Sequence, residues 1–476
     1  MQYKTPSAEV IAQLNAMLPG RVFTGSDIND DYSHDETPLY GTRTPDAMVM
    51  AETTEEVSAV CKLCYENDIP IIPRGAGTGL SGGCVALYGG IVLDITRMNH
   101  ILSYDLENFT VRAESGVLLN DLAQDCLAHG VMYPPDPGEK FATIGGNVAV
   151  NAGGMRAVKY GTTRDYVRAM TVVLPNGEIV KFGAEVSKNT SGYNLMHLMI
   201  GSEGTLGIIT ELSLKVIVPQ KYTISLLALF EDLSTCVSCV SKIKPAGLDP
   251  QALELISRTN VVDIEAYLGK TVYPAKADGV DVGYYLLTTF DCAMEEEMDA
   301  IMEHAAETLM ENGALDVVVY DTPEALRNAW AVRGATLEAI LANYKQMDEC
   351  DVVVPLPKVA DFIEYVAGLE EKVGLTVRCT GHAGDGNVHV NVCAKDMDPA
   401  EFEQRVNRFM ELAYAKGKEL GGLISGEHGI GSAKVRYLEE DVGPVVMDLM
   451  RQIKKVFDPK LLLNPGKVCY QLKREG

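Results

Sequence analysis

Residues 73–83 read PRGAGTGLSGG, and three of their glycines, Gly77, Gly79 and Gly82, stand at the GxGxxG spacing of dinucleotide-binding loops. That fingerprint has physical meaning only where a strand runs through the glycines into a helix, whose N-terminal amides receive a pyrophosphate. Here the apolar run IVLDI at 91–95 follows instead and predicts a second strand. We therefore predict a strand-to-strand loop whose bare main-chain amides cradle a phosphate outside a Rossmann fold; the alternative is an ordinary flexible loop.

Four more runs of small and polar residues share the composition of this loop. Their apolar content is too low for core strands, and they recur at the ends of predicted strands. Tight turns in a β-rich domain would account for one or two of them. All four, together with the loop, are better explained as walls around one large cofactor. The runs are PPDPG (134–138), ATIGGNVAVNAGG (142–154), KYG (159–161) and GSEGTLGIIT (201–210).

The overall composition argues against several classes of protein. The chain has 476 residues, enough for two or three domains, and its 41 basic and 66 acidic residues give a net charge of −25. This charge disfavours nucleic acid and anionic membranes as partners. No apolar stretch approaches the roughly 20 residues that span a bilayer, and the N-terminus lacks the pattern of a signal peptide. We therefore predict a cytoplasmic protein without a membrane span.

The cysteines do not form a recognisable metal or redox site. They number 11 and are scattered, which indicates free thiols in a reducing compartment. Two CxxC pairs, Cys61/Cys64 and Cys236/Cys239, lie in amphipathic helical patterns, where this spacing puts two small apolar residues on one buried face. We interpret both pairs as packing residues. No closely spaced set of four cysteines exists for an iron–sulfur cluster.

The order of apolar runs changes at Pro219. Before it, short strands alternate with Gly-rich turns, and Thr53 caps the one well-marked helix. This is an α+β pattern and not a strict βαβ alternation. After Pro219 the predicted order is strand, helix, strand, strand, helix, strand, which is typical of a ferredoxin-like sheet. A helix, a strand, a His-rich hairpin and two more helices complete the chain.

The densest chemical signal is GHAGDGNVH at 381–389, which places two histidines around an Asp-Gly turn. A hairpin there can bring the imidazoles of His382 and His389 to one side, and with a carboxylate they would suit a divalent metal such as zinc, iron or manganese. The candidate third ligand is Glu427, in SGEHGIG. The neighbouring His428 is a candidate general base. Of the 8 histidines in the chain, three fall in these two glycine-rich stretches.

Taken together, these motifs resemble one known family. The loop at 73–83, the four polar runs, GHAGDGNVH, SGEHGIG and the closing LNPGK (463–467) look like the motifs of the FAD-linked 2-hydroxyacid dehydrogenases of the vanillyl-alcohol-oxidase superfamily. That group includes the glycolate oxidase D subunit, D-lactate dehydrogenases and D-2-hydroxyglutarate dehydrogenase. The resemblance covers nearly the whole chain, in order. It implies that the loop binds the pyrophosphate of FAD and that the GxGxxG match is incidental.

The resemblance implies an α+β fold with a two-subdomain FAD-binding domain of the vanillyl-alcohol-oxidase and p-cresol-methylhydroxylase type, plus a ferredoxin-like cap domain for the substrate. The expected FAD-binding domain is 1–219, the cap domain with the metal site is 220–425, and the segment 426–476 returns to the FAD-binding domain. The FAD is expected to be non-covalent, because the loop lacks the histidine to which some superfamily members attach it. The implied FAD contacts are Pro73, Arg74, Gly75, Gly77, Thr78, Gly79, Ser81, Gly82, Pro137, Thr143, Gly146, Asn147, Asn151, Gly153, Gly154, Tyr160, Gly161, Gly204, Ile209 and Asn464.

The resemblance also implies roles at the substrate. One divalent metal binds the hydroxyl of a 2-hydroxy acid, a base removes its proton, and the hydride of C2 passes to flavin N5. A lone arginine is more often a solvated surface residue, so the assignment of an arginine as carboxylate clamp rests on the resemblance. The implied metal ligands are His382, His389 and Glu427, and the implied base is His428. The implied substrate-binding residues are Arg333 and Asn391.

One departure from the family bears on the substrate. The 2-hydroxyglutarate branch has a lysine that helps recognise a second carboxylate, where this chain has Glu349-Cys350-Asp351. An acidic residue there would repel a dianionic substrate. We therefore predict a small monocarboxylate, with D-lactate ahead of glycolate. The alternatives are a glycolate oxidase catalytic subunit and a D-2-hydroxyglutarate dehydrogenase.

Reduced flavin must pass its electrons on, and the chain has neither a second nucleotide motif nor an iron–sulfur signature. The resemblance therefore implies a partner protein, an electron-transfer flavoprotein in the first place and an iron–sulfur subunit as the alternative. Two further alternatives stay open at this stage. One is an oxidase that uses oxygen directly, and the other is a metal-binding subunit that keeps the fold without turnover.

Overall fold

The computed structural model describes residues 3–470 of the chain. Numbered in chain order, its strands are β1 (Val22–Phe23), β2 (Ala47–Met50), β3 (Ile71–Arg74), β4 (Ile91–Asp94), β5 (Ile101–Asp105), β6 (Thr110–Glu114), β7 (Val167–Val173), β8 (Ile179–Gly183), β9 (Ile208–Lys215), β10 (Tyr222–Phe230), β11 (Ala252–Ser257), β12 (Lys276–Ala277), β13 (Val280–Asp281), β14 (Tyr284–Cys292), β15 (Asp316–Tyr320), β16 (Gln346–Val353), β17 (Thr376–His382) and β18 (Asn387–Ala394). The glycine-rich loop joins β3 to β4 without a helix between them, as the sequence predicts.

The helices alternate with these strands along most of the chain. They are α1 (Ala8–Met17), α2 (Thr54–Glu66), α3 (Leu119–Ala128), α4 (Ile144–Val150), α5 (Ala157–Tyr160), α6 (Leu195–Met199), α7 (Leu233–Ile243), α8 (Arg258–Leu268), α9 (Glu296–Glu311), α10 (Pro323–Gly334), α11 (Thr336–Asn343), α12 (Val359–Ala367), α13 (Leu369–Val373), α14 (Pro399–Glu419) and α15 (Val435–Phe457). The last helix is kinked where Gly443, with a φ of 77°, precedes Pro444.

The chain forms two compact units. The first contains the residues up to Gly153, Thr162–Pro219 and the segment from Glu427 onward. The second contains Gly154–Gly161 and Gln220–Gly426. The sequence-based boundaries assign 154–161 to the FAD-binding domain, whereas the structure groups this segment with the second unit.

Three hydrogen bonds explain that grouping. Within the second unit, the Lys159 ammonium and the Tyr160 hydroxyl each donate to the Asp291 carboxylate at 2.6 Å. The Lys244 ammonium donates to the carbonyl oxygen of Val158, also at 2.6 Å. Because Asp291 is almost fully buried, these contacts are charge-assisted bonds in a poorly solvated environment, which makes them strong. They bind the short helix α5 to the second unit.

The first unit contains two sheets. One has the order β1-β2-β4-β3, in which β4 runs parallel to both β2 and β3. The other is antiparallel, with the order β5-β6-β9-β7-β8. Helix α2 packs on the first sheet: the Thr53 hydroxyl caps it by accepting from the amide of Glu56 at 3.1 Å, and Cys61 and Cys64 lie in the core cluster. The packing interpretation of this cysteine pair is confirmed.

The second unit is built on one seven-stranded sheet with the order β15-β10-β14-β11-β17-β18-β16, antiparallel throughout. Its first four strands are the predicted β-α-β-β-α-β segment, and the α+β class is confirmed. In chain order, helix α8 and the small β12–β13 hairpin lie between β11 and β14, and the sequence analysis did not predict them. Helix α8 begins directly after β11, where Ser257 caps it by accepting from the amide of Asn260 at 3.3 Å.

Two further expectations concern membranes and thiols. None of the described helices is both long and apolar enough to cross a bilayer. All 11 cysteines are free, and Cys236 and Cys239 are buried on one side of α7. Burial raises the pKa of the Cys239 thiol to about 11, which keeps it protonated and unreactive at neutral pH.

Candidate active site

The glycine-rich loop is shaped around one buried arginine. Within the first unit, Arg74 donates from its guanidinium to the carbonyl oxygens of Asp31 and His34, both at 2.8 Å. Gly77 has a φ of 81°, and a Cβ at this position would lie 2.1 Å from the Arg74 guanidinium. Position 77 therefore requires glycine, both for its left-handed backbone and for the space that Arg74 occupies. We call residues 75–83 the glycine loop.

Side chains from the end of the chain hold the carbonyl groups of the glycine loop. The Lys467 ammonium donates to the carbonyl oxygen of Gly82 at 2.6 Å, and the Asn464 side-chain amide donates to that of Gly83 at 2.9 Å. By contrast, no described residue accepts a hydrogen bond from the main-chain amides of residues 76–81. A loop whose amides lack protein acceptors fits an anionic group such as a pyrophosphate.

Buried polar atoms near the glycine loop also lack partners. A Cβ at Gly75 would lie 2.3 Å from the Thr143 hydroxyl, and one at Gly82 would lie 2.4 Å from the Ser432 hydroxyl, so these segments touch the loop. Leaving a buried polar atom unpaired costs about 1–3 kcal/mol, which a bound polar ligand would relieve. The residues of the first unit therefore fit FAD. Buried atoms with no hydrogen-bond partner among the described residues are Ser115 Oγ, Asn147 Nδ2, Ser432 Oγ, Lys434 Nζ and Asn464 Oδ1.

Most of the residues expected to contact FAD lie in the first unit. Thr143 caps α4 by accepting from the amide of Gly146 at 3.2 Å, and Asn151, with a φ of 55°, ends the same helix. Three others, Gly154, Tyr160 and Gly161, belong to the second unit. Their expected FAD contacts and those in the first unit stay predictions.

Glu203 is a supporting residue of the first unit that the sequence did not reveal. Its carboxylate is buried and accepts from the amides of Ile430 and Gly431, both at 2.7 Å. Burial raises the pKa of this carboxyl group, and the two amides offset the effect only in part. Glu203 therefore holds the turn that follows His428. The only signal for it was an acidic residue inside GSEGTLGIIT.

The predicted His-rich hairpin is formed by β17, a short turn and β18, and we call it the histidine hairpin. His382 ends β17 and His389 lies in β18, and both are buried. Their ring centroids are 5.1 Å apart and the rings are nearly perpendicular, at 87°. The two imidazoles therefore meet on one side of the hairpin, as the sequence predicts.

Glu254 is the central carboxylate of this region. It lies in β11 with no exposed side-chain surface and accepts from His382 Nδ1 at 2.7 Å and from Arg333 Nε at 2.6 Å. Burial by itself raises the pKa of the Glu254 carboxyl, but the neighbouring His382 and Arg333 outweigh burial and hold that pKa below its ordinary value. The sequence analysis missed Glu254. The only indication of Glu254 in the sequence is one acidic residue inside the otherwise mostly apolar strand ALELIS.

A second carboxylate faces the other imidazole. Glu349 in β16 lies 3.2 Å from His389 Nδ1. Asn391 is two residues beyond His389 on β18, hence on the same face of the strand, and its Oδ1 is buried without a hydrogen-bond partner among the described residues. At His382, the hydrogen bond from Nδ1 to the Glu254 carboxylate leaves the lone pair at Nε2, which is the arrangement of metal-binding imidazoles. The two histidines therefore fit a divalent metal.

Arg333 lies near the end of α10, and its side chain is only 15% exposed. Its Nε donates to Glu254, and no described residue accepts a hydrogen bond from its two terminal nitrogens. A guanidinium held in this way can offer those nitrogens to a carboxylate as a bidentate pair. The predicted clamp is thus a partly buried, fixed group and not a solvated surface arginine.

Asp351 fixes the start of the SGEHGIG stretch within the second unit. Its buried carboxylate accepts from the Asn387 side-chain amide at 2.7 Å, and from the Ser425 hydroxyl and the Gly426 amide, both at 3.0 Å. These bonds link the histidine hairpin to the residue that precedes Glu427. Glu427 itself belongs to the first unit, where a Cβ at Gly153 would lie 2.8 Å from its carboxylate. The three-ligand set and the role of His428 stay predictions.

Comparison with known proteins gives one family. Residues 219–468 match the model for FAD linked oxidases, C-terminal domain, and residues 45–183 match that for an FAD binding domain. A D-lactate dehydrogenase of Anaerostipes hadrus is 56% identical over 471 residues, which cover 99% of each chain. The glycolate oxidase subunit GlcD of Bacillus subtilis is 37% identical and covers 92% of this chain and 91% of its own.

Among solved structures, p-cresol methylhydroxylase with substrate bound is 19% identical and has a TM-score of 0.80, covering 97% of this chain and 96% of that chain. A 4-ethylphenol oxidase of Gulosibacter chungangensis is 16% identical, with a TM-score of 0.78 and 98% coverage of both chains. These likenesses establish the fold, which is that of the vanillyl-alcohol-oxidase-type flavoproteins, as the sequence predicts. The chain belongs to the family of FAD-linked oxidases.

Proposed function

We propose that this chain oxidises a small D-2-hydroxy acid, with D-lactate as the favoured substrate, to the 2-oxo acid, with pyruvate as the product. The observation that carries the proposal is the buried Glu254 carboxylate, which holds an imidazole and a guanidinium together. The relative from Anaerostipes hadrus, 56% identical over almost the whole chain, bears the name D-lactate dehydrogenase. The chemistry that FAD supplies is the acceptance of a hydride from the substrate C2 at flavin N5.

Substrate binding falls to Arg333 and Asn391. The terminal nitrogens of Arg333 hold the substrate carboxylate as a bidentate pair, while its Nε stays on Glu254. Asn391, on the same face of β18 as His389, is the second residue proposed to hold the substrate, while the single hydroxyl proton is left to the base. Stereoselectivity requires that three groups on C2 are placed: the carboxylate by Arg333, the hydroxyl by the base, and the hydrogen toward the flavin, so a single stereoisomer is expected to react.

Proton removal is assigned to His428, which accepts the hydroxyl proton on an imidazole nitrogen. A divalent metal would be held by His382, His389 and Glu427, and the chemistry that it supplies is Lewis-acid polarisation of the hydroxyl, which lowers the pKa of that group. The support for Glu427 is the anchoring of the preceding residue, because Asp351 binds the amide of Gly426 at 3.0 Å.

Glu349 supports a monocarboxylate as substrate. Its carboxylate lies 3.2 Å from His389 Nδ1, so a negative charge stands beside the metal-binding imidazoles. A second carboxylate on the substrate would meet that charge. D-Lactate and glycolate lack such a group, whereas D-2-hydroxyglutarate carries one.

The test is anaerobic mixing of the purified yellow protein with D-lactate, L-lactate, glycolate and D-2-hydroxyglutarate in parallel, followed by flavin absorbance. We expect prompt bleaching by D-lactate and slower or no bleaching by the others. Faster bleaching by glycolate would favour a glycolate oxidase subunit. Faster bleaching by D-2-hydroxyglutarate would contradict the argument from Glu349.

The electron acceptor is proposed to be an electron-transfer flavoprotein, ahead of an iron–sulfur subunit. The support for a separate acceptor is that all 11 cysteines are free and no four of them are closely spaced in the sequence, so no cluster within this chain is expected to carry the electrons. The protein reduced with D-lactate should be reoxidised by a purified electron-transfer flavoprotein faster than by air. Reoxidation by air at the same rate would favour a direct oxidase instead.

A further inference from the structure

We infer that Glu254 is a positioning residue that couples the metal site to the substrate clamp. The inference rests on the proposed function and adds a residue to it. One carboxylate accepts from His382 Nδ1 through one oxygen and from Arg333 Nε through the other, at 2.7 Å and 2.6 Å. The two groups that would bind metal and substrate are therefore held by one side chain.

Each of the two bonds has a separate consequence. The bond from His382 fixes the hydrogen on Nδ1, which sets the tautomer whose lone pair is at Nε2 and orients the ring. The bond from Arg333 Nε fixes the plane of the guanidinium, which determines where its terminal nitrogens point. Because the carboxylate has no exposed surface, water cannot replace it in either bond.

The backbone also ties Glu254 to the histidine hairpin. Glu254 and His382 are paired residues of the adjacent antiparallel strands β11 and β17. The carboxylate is therefore fixed by the sheet and does not depend on a mobile loop. A glutamine at this position could accept from only one of the two donors and would turn an N–H toward the other, so one bond is lost and the other loses its charged acceptor.

The experiment uses Glu254→Gln and Glu254→Asp in the full-length, FAD-loaded protein. Zinc affinity of the metal-depleted protein is measured by competition with a chromophoric chelator, and KM and kcat are measured with D-lactate. We expect zinc affinity to fall by about 10–100-fold and KM to rise by about tenfold or more in the same variant. Aspartate keeps the charge but is one methylene shorter, so its carboxylate lies farther from both donors, and zinc affinity and KM should again change together.

The matched control is Glu265→Gln. Glu265 is also a mostly buried carboxylate of the second unit, paired with Arg258 at 3.2 Å, and accepts from the amides of Val272 and Tyr273. It touches neither histidine of the hairpin. This variant should lose stability and leave zinc affinity and KM as in the wild type.

His389→Ala separates the two hypotheses, since His389 does not bind Glu254. If that variant binds zinc as the wild type does, the proposed metal site is wrong. If His389→Ala loses zinc while both Glu254 variants keep wild-type zinc affinity and KM, the coupling by Glu254 is wrong and the metal site stands. If neither Glu254 variant folds, Glu254 is a folding residue, which also contradicts the coupling.

Discussion

The glycine loop and the histidine hairpin are built to suit ligands in opposite ways. In the glycine loop, side chains such as Lys467 and Asn464 hold the carbonyl groups, and the main-chain amides of 76–81 have no acceptor among the described residues. In the histidine hairpin, the main chain is paired with neighbouring strands, and the buried side chains of His382 and His389 are the candidate chemical groups. The proposed cofactor site depends on the absence of side chains, whereas the proposed substrate site depends on the exact pairing of side chains.

This contrast predicts that the two regions fail separately. Damage to the glycine loop should release flavin and spare metal binding. Damage to the histidine hairpin should stop turnover and leave the protein yellow. The variants below test whether FAD binding and metal binding can be lost independently of each other.

The largest effect is expected for His389→Ala. Loss of a metal ligand removes Lewis-acid stabilisation worth several kcal/mol, so kcat with D-lactate should fall by about 10³-fold or more. The flavin content should stay that of the wild type, because most of the expected FAD contacts lie in the first unit and none of them is in the histidine hairpin. Anaerobic stopped-flow reduction and the absorbance ratio of flavin to protein measure the two quantities. Loss of flavin from this variant would break the separation.

The second-largest effect is expected on FAD binding, in a comparison of Gly77→Ala with Gly79→Ala. At Gly77 a Cβ would meet Arg74 at 2.1 Å with a φ of 81°, so alanine should lower the stability of the apoprotein by at least about 1–2 kcal/mol and abolish FAD retention. At Gly79 the nearest atom, on Asp35, is 3.7 Å away and alanine fits the apoprotein. Gly79→Ala should therefore fold as the wild type does and bind FAD more weakly.

Urea unfolding of the two apoproteins and FAD titration by fluorescence quenching test this pair. Equal FAD affinity of Gly79→Ala and the wild type would mean that no phosphate approaches the loop closely at this position. Such a result would contradict the cradle and leave only a structural role for the glycine loop.

Lys434→Met should weaken FAD binding more than it changes the stability of the apoprotein. Lys434 Nζ is buried without a hydrogen-bond partner among the described residues, and its charge lowers the pKa of the buried Glu203 carboxyl group. Methionine has a similar length and no charge, so it removes the unpaired ammonium but also removes a charge that stabilises the Glu203 carboxylate, and the two effects on the free energy of unfolding of the apoprotein oppose each other. If the lysine serves a negative group of FAD, the affinity for FAD should fall.

Thermal unfolding with and without FAD measures both effects of Lys434→Met. A variant that loses the same stability with and without FAD would show that Lys434 is a structural residue. In that case Lys434 Nζ would no longer count as evidence that a cofactor binds at the glycine loop.

The smallest effect on metal binding, FAD binding and turnover is expected for the double variant Cys236→Ala/Cys239→Ala. Both thiols are buried in α7, and the loss of small apolar groups should cost about 1–3 kcal/mol in stability through packing. Zinc content, flavin content and turnover at a temperature where the variant is folded should stay those of the wild type. Loss of metal with this pair, and not with His389→Ala, would reverse our assignment of the site.

The sequence predicted the local structure of both regions but not the distant residues that support them. The glycine loop and the His-rich hairpin were correctly placed, because glycine patterns and an Asp-Gly turn are local signals. Glu254 and Glu203 were missed, because a charge in an apolar run gives no sign of which distant groups it will meet. Helix α8 was missed as well, since it follows β11 without a break and is capped by the last residue of that strand.

The most direct test is anaerobic reduction by D-lactate of protein stripped of divalent metal by a chelator. The account predicts that the stripped protein stays yellow, retains its FAD and is not bleached, and that zinc, iron or manganese restores bleaching in the wild type but not in His389→Ala. Undiminished bleaching of the metal-free protein would contradict it, because the histidine hairpin would then have no part in the reaction.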